Sequence, residues 1–238
     1  MGLHCGGFVD PFVKLFIGII PGAIWLLLFF VFFRRHTSSS LNKLFLVFGA
    51  GALATVPALL IEVGVESLFL VGAASFTLSA LGAIFVVAPV EEIVKFVLLR
   101  FGILRRFTQT KVLDPILFGM AIGLGFATVE NILLVFQEAN FTFLVLRALT
   151  ATLLHAGATG IVGFYIGLAR KDPARGRTFA VQGVFIATLF HAAYNFIMTL
   201  QETSAILLAL LLLVGMFLFL LLAIPELRKT ETTVEEKS

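Results

Sequence analysis

The chain has 238 residues, 60% of them hydrophobic and 13% charged, and a mean hydropathy of +1.08. Soluble domains are far less apolar than this, so a water-soluble enzyme or binding module is excluded. The formal charge of +3 and pI near 9.2 would suit nucleic acid only if position were ignored. The basic residues stand in short segments beside apolar runs, where they report topology, and no nucleic-acid partner is expected. A lone cysteine, Cys5, rules out an intramolecular disulfide. Residues 1–11 lack the basic start of a cleavable signal peptide.

Repeated apolar runs of about 20 residues match the hydrocarbon thickness at 1.5 Å per residue. They predict an all-α, polytopic bundle forming one membrane-embedded domain over 1–238. Seven spans are expected at roughly 12–33, 43–62, 68–101, 113–136, 142–169, 179–200 and 204–224. Fourteen of the seventeen basic residues fall in the alternate segments 34–43, 100–111, 170–177 and 228–237. The segments 1–11, 62–67, 137–141 and 201–203 contain none. That asymmetry predicts a multi-pass cell-membrane protein with its N-terminus outside and its C-terminus in the cytoplasm.

The first and last spans are nearly featureless and are expected to face lipid. The third is too long for one straight crossing, and Pro89 interrupts it, either kinking the helix or starting a new one. The fourth and fifth carry Gly119 with Gly123 and Gly163 with Gly167, together with Gly125, Gly157 and Gly160. Small residues at such spacing let backbones approach closely, which favours a tight central bundle of spans three to six. No internal repeat is evident.

Ionisable groups at membrane depth are costly and mark function unless they pair. Glu91, Glu92 and Lys95 form one group, since Lys95 reaches either carboxylate at helical i, i+4 and i, i+3 spacing. One lysine cannot discharge both, so a carboxylate is left over as base or ligand. Glu130, followed by Asn131, lies inside span four and needs a partner. Arg147, in span five near the same outer side, is one candidate; alternatively Arg147 snorkels outward to hold a substrate or a lipid headgroup. His155 and His191 are near mid-span, and Asn195 shares the helical face of His191 and adds an amide. By residue count Glu91, Glu130, His155 and His191 fall close to a common layer. Converging there, they can activate water through a carboxylate base or a divalent metal. The chain has no HExxH helix and no GxSxG, and Asp10, Asp114 and Asp172 all fall at loops, so serine and aspartyl mechanisms are disfavoured.

Four segments in order, APVEEIVKF, GFATVENILL, LLHAGATGIVGFYIG and FHAAYNF, resemble the PrsW intramembrane proteases. That family is related in architecture to the CAAX-protease and bacteriocin-processing endopeptidases. The resemblance runs over about 89–196, just under half the chain. It places the family's glutamates on Glu91, Glu92 and Glu130 and its histidines on His155 and His191. It implies hydrolysis of a peptide bond in a membrane-anchored protein, and in the founding branch release of an anti-sigma factor by site-1-type cleavage. The CAAX family usually has His where Glu130 stands, and Arg one residue beyond Lys95, which favours the PrsW branch.

The expectation is therefore an intramembrane endopeptidase. Its catalytic residues are Glu91, Glu92, Glu130, His155, His191 and Asn195, with Lys95, Asn131 and Arg147 supporting them. Glu91 or Glu92 serves as base, and Asn195 donates to the oxyanion. A metal, Zn²⁺ or another divalent ion, would be held by His155, His191 and Glu130; a metal-free mechanism stands beside it. The expected partners are a membrane-anchored protein substrate and membrane lipid, with the oligomeric state open. Two rivals use the same residues, namely an ion-coupled transporter or proton relay and a non-catalytic membrane scaffold.

Overall fold

The computed structural model describes residues 11–69, 82–136, 141–200 and 203–235. Residues 1–10 with Cys5 and Asp10, residues 70–81 of the expected third span, residues 137–140 and 201–202, and Lys237 lie outside them. The described residues build a helical bundle without strands: α1 (Pro11–Phe33), α2 (Leu41–Phe69), α3 (Ala88–Val97), α4 (Asp114–Val135), α5 (Phe141–Lys171), α6 (Gly176–Met198) and α7 (Thr203–Glu235). Six of these, all but α3, are long and apolar enough to cross a membrane. The chain is a multi-pass membrane protein.

Burial sorts the helices. The apolar windows of α4 and α5 are 78% and 83% buried, against 28–33% for α1, α2, α6 and α7. Glycine explains the central pair. A Cβ on Gly119 or Gly123 would strike the Thr159 or His155 carbonyl of α5, and one on Gly163 would strike Pro115. Gly125 meets the Phe48 carbonyl of α2 in the same way, and Gly51 meets Ile122. Gly157, Gly160 and Gly167 instead receive the side chains of Met216, Met120 and Leu227. Backbones this close gain dispersion that lipid cannot replace. Helix α1 fully buries only Gly18, Pro21, Gly22, Leu26 and Phe33 and exposes Phe12, Phe16, Ile24 and Phe32 among others, as an outer span should.

Gly123→Val is accordingly expected to push α5 off α4 and cost ~1–3 kcal/mol by overpacking, read as a lower melting temperature in detergent. Gly49→Ala, where a Cβ meets nothing within 4 Å, is the matched control and should melt no lower than wild type. Equal melting of the two variants would contradict the close α4–α5 crossing.

One boundary differs from expectation. The turn expected at 62–67 is helix, because α2 runs on to Phe69. No proline stands between Glu62 and Phe69, and Glu62 and Glu66, both good helix formers, flank the one unfavourable residue, Gly64. Glu62 is thus inside a span, not beyond it. Pro89 starts a new α-helix, the second of the two expected outcomes. A π-helical turn, Ala83–Val87, leads into α3 with Pro89 in the first positions of the α-helix, and Val87 keeps right-handed helical dihedrals. Proline has no N–H to lose at such a position. A second π-helical turn, Leu98–Ile103, and a last turn, Leu104–Arg106, continue the rod.

The basic ends of the helices are tied together. Buried Asp114 accepts from the Ser38 amide at 3.1 Å, the Ser39 hydroxyl at 2.8 Å and the Lys111 amide at 2.6 Å. Arg170 donates to Thr110 at 2.8 Å, and Lys171 donates to the Glu226 carbonyl at 3.0 Å. The α1–α2, α3–α4 and α5–α6 connections and the distal part of α7 therefore share one end of the bundle.

Candidate active site

Helix α3 is too short to bury much and carries three charges in five residues, yet Glu91, Glu92 and Lys95 are all buried. Their helical spacing places the Lys95 ammonium between both carboxylates, with Nζ 2.9 Å from Glu91 Oε2 and 2.9 Å from Glu92 Oε1. A third acceptor, His155 Nδ1 of α5, stands 2.7 Å away, so each ammonium proton has its own acceptor. The ring of Phe126, centred 4.1 Å from Nζ, covers another side of the ammonium.

This arrangement sets both histidine tautomers. His155 accepts from Lys95 at Nδ1, so its proton is on Nε2, which donates to Glu130 Oε2 at 2.7 Å. His191 of α6 points Nδ1 at Glu92 Oε1, 2.9 Å away, and donates there, because Glu92 can only accept. His191 Nε2 is left with a lone pair, 3.9 Å from Glu91 Oε2. The two imidazoles meet edge to face, with centroids 4.8 Å apart.

Glu91, Glu130, His155, His191 and Asn195 line one cavity of about 520 Å³, together with Arg147, Asn131 and Tyr194. Glu92 does not line it. Glu91 lies at its wall, and Glu91 Oε1 accepts no hydrogen bond among the described residues. Five of the six expected catalytic residues thus share a cavity, and Glu92 stands directly behind.

Some expected contacts are replaced by others. Glu130 does not pair with Arg147; its carboxylate is taken by His155, which stands across the α4–α5 crossing that the glycines bring close. Asn131 spends its amide on packing, donating to Thr152 Oγ1 at 2.9 Å. The expected metal set also changes. The group able to hold a metal is Glu91, Glu92, His155 and His191, with ligand atoms within 4.8 Å of one another, and Glu130 stands outside it as the partner of His155.

Two residues near this site were not singled out by the sequence. Tyr194, within FHAAYNF, lines the cavity, and its hydroxyl is 2.8 Å from Thr150 Oγ1. Glu62 lies in an α2 span and has a buried Oε1 with no hydrogen-bond partner; Leu59, one turn earlier, lines the cavity. An acidic residue inside an apolar run was the available signal for Glu62.

The donor set fits a divalent cation. Three carboxylates and two imidazoles stand around the one ammonium. Glu92 Oε2 is buried with no hydrogen-bond partner, a costly state that a cation would relieve. Lys95 Nζ already stands among these donors, so metal and ammonium compete for them.

Comparison with known proteins follows the same residues. A family model described as PrsW family intramembrane metalloprotease matches residues 39–223, more than the 89–196 stretch carrying the motifs. The chain is 31% identical to Protease PrsW of Bacillus subtilis (strain 168) over 184 residues, 76% of this chain and 81% of that protein. It is 29% identical to Protease PrsW of Halalkalibacterium halodurans over 181 residues, again 76% and 81%. With Protease PrsW of Shouchella clausii it shares 32% over 162 residues, 66% of this chain and 72% of the relative. No solved structure matches it.

Proposed function

The chain belongs to the PrsW family of intramembrane metalloproteases, and from that premise we propose that Glu91 is the general base that hydrolyses a peptide bond of a membrane-anchored protein. The transporter and scaffold readings fall away with the family assignment. The observation that carries the base assignment is that Glu91, and not Glu92, lines the cavity and stands 3.9 Å from His191 Nε2. A water between these two atoms gives its proton to Glu91 as its oxygen attacks the carbonyl carbon. Glu91 passes that proton to His191 Nε2, 3.9 Å away and oriented by Glu92 at Nδ1, and His191 delivers it to the leaving nitrogen as the C–N bond breaks. The Asn195 amide donates to the oxyanion, a role worth ~2.7–4 kcal/mol for a comparable donor. Glu130 and Lys95 hold His155 from its two nitrogens, and Lys95 bridges Glu91 and Glu92.

A divalent metal, held by Glu91, Glu92, His155 and His191, would supply Lewis-acid activation of the water. Zn²⁺ suits such nitrogen and carboxylate donors. Elemental analysis of purified protein is expected to find about one divalent metal per chain, lost in His191→Ala. Full cleavage by metal-free protein would instead leave Glu91 and His191 acting alone.

The cleavage assay is reconstitution in liposomes with a single-span substrate, and the resemblance makes an anti-sigma factor the first to try. Wild type should cut it, and absence of any cleavage product would remove the assignment. The clustering of basic residues at one end of the bundle supports a cytoplasmic position for that end. With Cys5 replaced by serine, cysteines placed at Ser39 and Thr142 should label from opposite sides of the membrane. Labelling from the same side would overturn this orientation.

A further inference from the structure

Arg147 is the charged group of the cavity that the chemistry above does not use. It shares one stripe of α5 with Ala151 and His155, at four-residue spacing, and all three line the cavity. Its Nε is buried with no hydrogen-bond partner, and its guanidinium forms no ion pair among the described residues. Both carboxylates of the cavity wall are taken, Glu130 by His155 at 2.7 Å and Glu91 by Lys95 at 2.9 Å. A guanidinium at membrane depth with an unused donor is costly until an anion reaches it, and here that anion must enter through the cavity.

Two helical turns separate Arg147 from His155, ~12 Å along the axis at 1.5 Å per residue. An extended peptide covers that distance in three to four residues at ~3.3 Å each. We propose that Arg147 is a specificity residue that binds the side-chain carboxylate of an Asp or Glu three to four residues from the scissile bond. This rests on the protease reading above. A guanidinium takes a carboxylate through two parallel hydrogen bonds, so the acidic residue would set which bond lies over Glu91.

The test uses full-length protein in nanodiscs of neutral lipid and single-span substrates carrying one Asp, scanned along the segment around the cut, each beside its Asn counterpart. Wild type should prefer Asp over Asn by ~10–100-fold in kcat/KM at three to four residues from the cut, with most of the difference in KM. Arg147→Gln should cut the two alike, Arg147→Lys should keep part of the preference, and Arg147→Glu should prefer a Lys-bearing substrate. Equal wild-type rates on Asp and Asn substrates at every position would overturn the proposal, while cleavage of both would leave the protease reading intact. A loss in Arg147→Gln that is equal for Asp and Asn would show a structural role and overturn it. So would a wild-type advantage that appears only when anionic phospholipid is added, which would make Arg147 a headgroup site. Wild type that cuts no substrate at all, and binds Asp and Asn peptides equally, would remove both readings.

Discussion

Glu91→Gln is expected to reduce cleavage by ~10²–10⁴, the usual contribution of a positioned general base, without loss of folded protein. The substitution is nearly isosteric. The glutamine oxygen can still accept from Lys95 Nζ, 2.9 Å away in the wild type, so packing around the ammonium is kept while the proton acceptor is lost. Glu92→Gln should do less. Glu92 stands behind the cavity, where its Oε1 serves both Lys95 and His191 at 2.9 Å, and an amide oxygen retains both contacts. What is lost is the charge that supports a protonated His191. The readout is the initial cleavage rate of a single-span substrate in liposomes, with helical circular dichroism and gel filtration of each variant as the check on folding. A dead Glu92→Gln beside a Glu91→Gln with wild-type rate would exchange the two roles.

The difference between those carboxylates marks how far the sequence could be read. Apolar run length marks six of the described helices as long enough to cross a membrane, because bilayer thickness is a fixed ruler. Spacing within one helix is equally legible, which is why the contacts of Lys95 to Glu91 and Glu92 follow from i, i+4 and i, i+3 positions alone. Contacts between helices are not. Residue counting places Glu130, His155 and Arg147 by depth but says nothing of their azimuth, so Glu130 was as plausible a partner for Arg147 as for His155. The close crossing at Gly119, Gly123 and Gly163 decides the matter, by seating the His155 turn of α5 against α4. Glu62 escaped notice for a related reason. A polar residue near the end of an apolar run looks like the start of a loop until the helix is seen to continue past it.

Lys95→Met is expected to be the most destabilising change at the site, because it removes the counter-charge of two buried carboxylates in one step. Breaking a buried ion pair from one side costs ~3–5 kcal/mol, since the remaining charge is left without compensation. Here Glu91 and Glu92 would face each other, and His155 Nδ1 would lose its donor. The variant should therefore melt well below wild type in detergent. Neutralising the carboxylates as well, in Glu91→Gln/Glu92→Gln/Lys95→Met, should recover most of the stability and none of the cleavage. Metal supplies a second reading of the same site. With the ammonium gone, four donor atoms within 4.8 Å of one another are open to a cation, and a ligand that binds only the folded state raises stability by mass action. Added Zn²⁺ should thus raise the melting temperature of Lys95→Met more than that of wild type, where Lys95 competes, and should leave the triple variant unmoved. A Lys95→Met protein that melts at the wild-type temperature with no metal present would show that the ammonium does not hold the carboxylate pair together.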